Sequence, residues 1–227
     1  MCLKMYIYAV VSKTPTIVGK VIRQVLDNKY NHMSLSLEPD LSKMFSFGRV
    51  TVKNFLSSGP IRESYYTMSL GGEAEVDICV FRLPVTKKQY ERLSEFISSV
   101  YYDVDGYVYN LADAIGTIFH RRIRVDKCYT CIEFCKDALS YAEIDAAKDL
   151  ESVSTLDGVR NHLKHFMIYE GNYIKYPGVF LEKTENDVRF LQSRGLYTEI
   201  RYTAGTLKKF IGRVYHTKVR VDNSRKK

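Results

Sequence analysis

Eight residues, Tyr30 to Leu37, alternate without a break: His32, Ser34 and Ser36 fall on one side, Met33, Leu35 and Leu37 on the other. A period of two marks a strand with one apolar face. Glu38, Pro39 and Asp40 then turn the chain, and the run MFSFGRVTV at Met44 to Val52 supplies an antiparallel partner. His32 shares its polar face with two small hydroxyls, which leaves open space in front of the imidazole; a solvent-exposed strand histidine explains the same pattern. Ser46 alternates with Phe45 and Phe47 and is placed beside His32 on the adjoining strand. Gly48 lets a neighbour approach closely, and Arg49 is the lone charge in an apolar run.

The remaining segments predict a mixture of strands and helices. Met5 to Val11 reads as a buried strand, followed by a helix to Asn28 with Thr14 as its cap, Pro15 in its first position and a buried stripe of Ile17, Val18, Val21, Ile22, Val25 and Leu26. Ser57 to Pro60 reads as a loop, Ile61 to Leu70 and Glu75 to Leu83 as strands, and Thr86 as the cap of a helix to Tyr102. Asn110 to Phe119 reads as a short helix, and a basic, irregular run follows from His120 to Lys127. Later come a helix from Leu156 to Met167, a strand from Tyr169 to Tyr176, a helix from Thr184 stopped at Gly195, and a strand from Leu196 to Thr203.

The stretch KCYTCIEFCKDAL, Lys127 to Leu139, carries the most chemistry. Thr130 and Glu133 stand three apart ahead of Ile132, Cys135, Ala138 and Leu139, the capping-box signature of a helix start. Cys131 becomes the first residue of that helix, which runs to about Ile144. A thiol at the positive end of the helix dipole is biased toward thiolate and suits a nucleophile. Cys128 and Cys131 also have zinc-knuckle spacing, although no second pair of ligands accompanies them, and buried cysteines pack as small apolar residues. His162 and His165 share a helical face at a spacing that can bind metal, without a carboxylate or thiolate to match.

A chain of 227 residues with 45% hydrophobic content can bury a proper core without disulfides. Five cysteines without framework spacing point to a reducing cytoplasm. The opening MCLKMYIYAVV reads as a strand and not an export signal, and no run approaches membrane-spanning length. Net charge is +8, and the last twenty residues hold eight basic side chains against one acid, Asp222. Such a tail attracts nucleic acid or anionic lipid, or is simply a solvated terminus. Lys218 to Lys227 has no apolar periodicity, so removing everything after Ile211 is expected to leave the fold intact. No phosphate-cradling glycine loop is present.

A thiol nucleophile needs a base, a group to orient that base, and donors for the oxyanion. His32 is the best-placed imidazole. His120 lies in the basic run, His162 and His165 on a helix and His216 in the tail. The order YNHMSLSLE, MFSFGR, YTCIEF resembles the circularly permuted branch of the papain-like NlpC superfamily of cysteine amidohydrolases, in which the histidine strand precedes the cysteine helix. The resemblance spans roughly Met5 to Leu139. It implies an α+β, permuted papain-like fold with an antiparallel sheet packed against the cysteine-bearing helix. It also implies that Cys131 is the nucleophile and His32 the base. The family's third polar residue sits on the next strand, where this chain offers Ser46; Glu38 and Glu63 are substitutes.

The chain then divides into a papain-like domain over residues 1–183 and a C-terminal extension with a basic tail over 184–227. The function expected is a cytoplasmic, amidase- or peptidase-like hydrolase acting on an amide or acyl bond of a small-molecule, peptide or acyl substrate. No cofactor, metal or nucleic-acid partner is called for. The alternative is a non-catalytic interaction module that binds nucleic acid or an anionic surface through the tail.

Overall fold

In the computed structural model, which describes residues 5–54, 57–103, 106–118, 122–192, 195–216 and 220–222, strand β1 (Met5–Lys13) leads into helix α1 (Ile17–Leu26). The cap of α1 is Thr16, whose hydroxyl accepts from the Gly19 amide, and not Thr14 as the sequence suggests. Thr14 is occupied elsewhere: its amide donates to Asn31 Oδ1 at 3.0 Å and its hydroxyl accepts from Asn31 Nδ2 at 2.6 Å. That exchange ties the end of β1 to the residue before His32. The stripe expected to bury α1 is only partly used, since Val21 and Val25 are exposed.

Strand β2 (His32–Ser36) is followed by β3 (Met44–Arg49), β4 (Ser58–Glu63), the short helix α2 (Tyr65–Met68), β5 (Asp77–Val85) and helix α3 (Lys87–Tyr102). Ile61 to Leu70 is therefore not one strand. Ser64 stops it by accepting from the Tyr66 and Thr67 amides, a capping box that turns the next residues into α2. Next come β6 (Val108–Tyr109), α4 (Leu111–Ile118), β7 (Arg122–Arg124), β8 (Cys128–Tyr129) and α5 (Cys131–Tyr141). The chain closes with α6 (Leu156–His162), β9 (Met167–Asn172), α7 (Glu185–Leu191), α8 (Leu196–His216) and β10 (Arg220–Asp222).

Six strands form one antiparallel sheet in the order β4-β3-β2-β1-β5-β9. Each of its faces carries a buried cluster. On one, Ile7, Ala9, Val11, Met33, Leu35, Phe47 and Phe81 pack with Leu93 and Ile97 of α3 and with Phe134, Cys135, Ala138 and Leu139 of α5. On the other, Tyr8, Val10, Met44, Ile78 and Val80 meet Met68, Tyr173 and Tyr176. The alternation in β2 thus separates two interiors instead of core from solvent, and Ser34 and Ser36 are fully buried.

Leu196 to Thr203, expected as a strand, is the first third of α8. Aromatic and β-branched residues favour a strand locally, but the helix is set by its docking. Asn54 donates to Glu199 Oε2 and Thr203 Oγ1 at 2.9 and 2.7 Å. Phe210 and Val214 pack against Val108, Val125 and Cys128. Arg213 donates to the carbonyls of Lys127 and Gly106 at 2.7 and 2.8 Å, and β10 pairs with β7.

These contacts tie the chain beyond Ile211 to the body, where the sequence shows no apolar periodicity to anchor it. Arg213 grips the turn that leads into β8 and the cysteine helix. Arg213→Ala is expected to cost about 1–3 kcal/mol, or about 2–4 °C of melting temperature per kcal/mol. Truncation after Ile211 should cost more. A calorimetric scan that leaves both melting temperatures unchanged would show that α8 does not brace the body.

Candidate active site

Helix α5 begins as its sequence dictates. Thr130 is extended, its hydroxyl accepts from the Glu133 amide, and Glu133 Oε2 accepts from the Thr130 amide at 3.0 Å. The capping box is buried, and Asn110 Nδ2 adds a donor to Glu133 Oε2 at 3.3 Å. Just upstream, the short parallel pairing of β6 with β8 fixes Tyr109 beside Tyr129, and the Asn110 amide donates to the Tyr129 carbonyl at 3.0 Å. Cys131 therefore enters the helix from a clamped backbone. It is 9% exposed, and its amide belongs to the first turn, whose N–H groups intrahelical bonding leaves open.

Helix α5 packs across β2 and β3, which brings Cys131 to His32. The ring of His32, 12% exposed, sits between two partners. Its Nε2 lies 2.7 Å from Glu63 Oε1. Cys131 adds to the influences that favour the charged form of the ring. The other oxygen of Glu63 accepts a hydrogen bond from the Ser34 hydroxyl. Burial is the largest single influence on the ring and opposes its charge. Glu63 and Cys131 together overcome it, and His32 is held well above the usual histidine range.

Of the three groups the sequence offered as partner to the ring, Glu63 is the one the structure brings there. Ser46, placed first, donates instead to the Met33 carbonyl at 2.6 Å. The paired residues of β2 and β3 are Leu35↔Phe45 and Ser36↔Met44, so Ser46 supplies a side-chain bond to a carbonyl beyond them. Glu38 binds Lys43 at 2.8 Å. The space expected in front of the imidazole is filled by Glu63, whose side chain is 6% exposed. Gly48 adjoins the pair: a Cβ added there would meet Glu63 Oε1 at 3.5 Å and His32 Cε1 at 3.7 Å, ordinary contact distances.

The sequence reading also passed over Tyr109. Burial raises its phenol far above the usual tyrosine range, and the charge of Cys131 adds to the shift, so its hydroxyl stays neutral. The pairing of two short strands that positions it joins residues twenty positions apart, and no local signal marks it.

The other described thiols are buried and differently placed. Cys135 is pushed well up by burial and by Cys131, and burial carries Cys79 up to about 12. Burial also raises Cys128, whose sulfur lies 4.0 Å from Arg213 Nη1. Among the described residues no three His, Cys, Asp or Glu side chains converge as metal ligands. His162 closes α6, His165 lies in the 3₁₀ turn after it and His216 ends α8. Cys2 and His120 lie outside the described residues, as do residues 217–219 and 223–227 of the basic tail.

Cys131 is therefore expected to be alkylated first by iodoacetamide near neutral pH, ahead of Cys79, Cys128 and Cys135, with peptide mass spectrometry as the readout. Glu63→Gln removes the charge that supports the imidazolium beside the sulfur, so the pH profile of Cys131 alkylation should drop in rate around neutral pH. An unchanged profile would show that Glu63 does not govern the ring. Comparison of the chain with family models, with curated proteins and with solved structures finds no match.

Proposed function

We propose that the protein is a cysteine-dependent hydrolase of an amide or acyl bond, with Cys131 as nucleophile, His32 as general base and acid, and Glu63 holding the ring. The observation that carries this reading is the buried imidazole between a carboxylate and a thiol on the first residue of a helix. A core histidine needs one satisfied hydrogen bond, whereas a nucleophile needs this ordered series of three. On this reading the chain is a permuted papain-like amidohydrolase in which Glu63 takes the place of the family's third polar residue.

The chemistry follows from the placement. With the thiol proton already held on His32, the sulfur attacks the substrate carbonyl carbon. Charge develops on the carbonyl oxygen, where the Cys131 amide and the Tyr109 phenol are the donors assigned to it. As the tetrahedral adduct collapses, the imidazolium gives its proton to the departing amine or thiolate, leaving an acyl thioester on Cys131. The ring then deprotonates a water that attacks this thioester; the acid departs and the thiol is restored. Glu63 keeps its charge throughout and stabilises the imidazolium at both proton transfers.

Because sulfur and imidazole act as one unit, Cys131→Ala, His32→Ala and the double variant should be inactive to nearly the same degree. The assay is amine or thiol release from a panel of simple amides and thioesters, with intact-protein mass spectrometry to trap acyl-Cys131. Turnover that survives in Cys131→Ala, or a panel that neither turns over nor acylates Cys131, would defeat the reading.

A further inference from the structure

The outward side of α8 carries a feature that catalysis does not use. Tyr197, Ile200, Leu207, Ile211 and Tyr215, spaced by three, seven, four and four residues, fall on a single stripe of the helix. All five are exposed, Tyr197 by 76%, Ile200 by 59% and Tyr215 by 82%. At 1.5 Å per residue the stripe runs about 27 Å. The inward side of the helix is already spoken for by Asn54, by the packing of Phe210 and Val214, and by the Arg213 hydrogen bonds. Among the described residues, nothing in the body covers the stripe.

Charge identifies what covers it. Arg201 and Lys208 project along one flank of the stripe, with Lys209 further round, and all three are exposed. The only acid of α8, Glu199, is turned inward to Asn54. Seven of the eight net positive charges of the chain fall in the last twenty residues, which begin at Lys208. A convex aliphatic rail with tyrosines at both ends and a basic flank matches the interface of an anionic bilayer, with side chains of intermediate polarity at headgroup level and lysines near the phosphates. Nucleic acid would use aromatic faces interleaved with the basic residues, and here the centre of the rail is Ile200, Leu207 and Ile211.

We propose that α8 docks the protein on the surface of an anionic membrane, lying in the plane of the interface with its aliphatic stripe among the acyl chains and its basic flank on the headgroups. Among the described residues no helix is long and apolar enough to cross a membrane, so this helix lies on the bilayer and does not span it. The proposal stands independently of the hydrolase reading.

The test is vesicle sedimentation of the full chain with phosphatidylcholine alone and with phosphatidylcholine containing about 30 mol% phosphatidylglycerol. Binding is expected to the anionic vesicles only and to weaken as salt rises. The pair Ile200→Ser and Ile211→Ser should lower it at least about tenfold by removing buried apolar area. Arg201→Glu with Lys208→Glu should lower it by a similar factor, about fivefold or more per reversed charge. These positions are exposed, and circular dichroism checks that the variants fold. Equal binding to both vesicle types, binding to neither, or loss in neither variant would overturn the proposal. So would tighter binding of an oligonucleotide than of anionic vesicles at the same salt.

Discussion

A carboxylate and an imidazole buried side by side constrain most of what surrounds them. Taking one charge out of water is costly, and removing either partner of a buried pair leaves the other uncompensated at about 3–5 kcal/mol. Glu63 and His32 meet at 2.7 Å, and the second carboxylate oxygen is satisfied by Ser34. The strand pairings that bring them together, β1 with β2 and β3 with β4, have to hold their register, because a slip of one residue turns every side chain to the other face. Asn31 holds β2 to the end of β1 one residue before the ring, and Ser46 secures Met33 one residue after it.

The pair also has a pH signature. The folded value of His32 lies above its unfolded one, so the ring contributes stability that is complete below about pH 6.5, its unfolded value, and is lost as pH rises through the raised folded value. Alkali, not mild acid, is what loosens this centre through the ring. The same shift keeps a proton on the imidazole in the range where a leaving group has to receive one.

How much of this could be read from residues alone depended on the range of each signal. The cap at Thr130 and Glu133 acts over three positions, and it placed Cys131 on the first residue of α5. The alternation in β2 was equally local and separated His32 from Met33 and Leu35. Glu63 was harder because Gly59 and Pro60 look like a loop. An edge strand tolerates both residues, and β4 is the edge of the sheet. Starting the strand at Ser58 puts Glu63 at its end, against β3. Ser46 was placed correctly on its strand but was given the wrong partner, since nothing in the sequence says that the Met33 carbonyl needs a donor. Helix α8 was misread over its first eight residues because local propensity there favours a strand, and the contacts that decide its state come from Asn54, Gly106 and Lys127, far away in the chain.

The charge state of the His32 ring tests this arrangement most directly. Nitrogen-15 NMR of the full chain, with the resonance assigned by His32→Gln among the five histidines, reads it without any substrate. At about pH 7.5, a unit above the ordinary histidine value, both ring nitrogens should be protonated in the wild type, and Glu63→Gln should convert the ring largely to its neutral form. A wild-type ring that is already neutral at that pH, or that keeps its charge when Glu63 loses its own, would contradict the placement of His32 as an imidazolium held between Glu63 and Cys131.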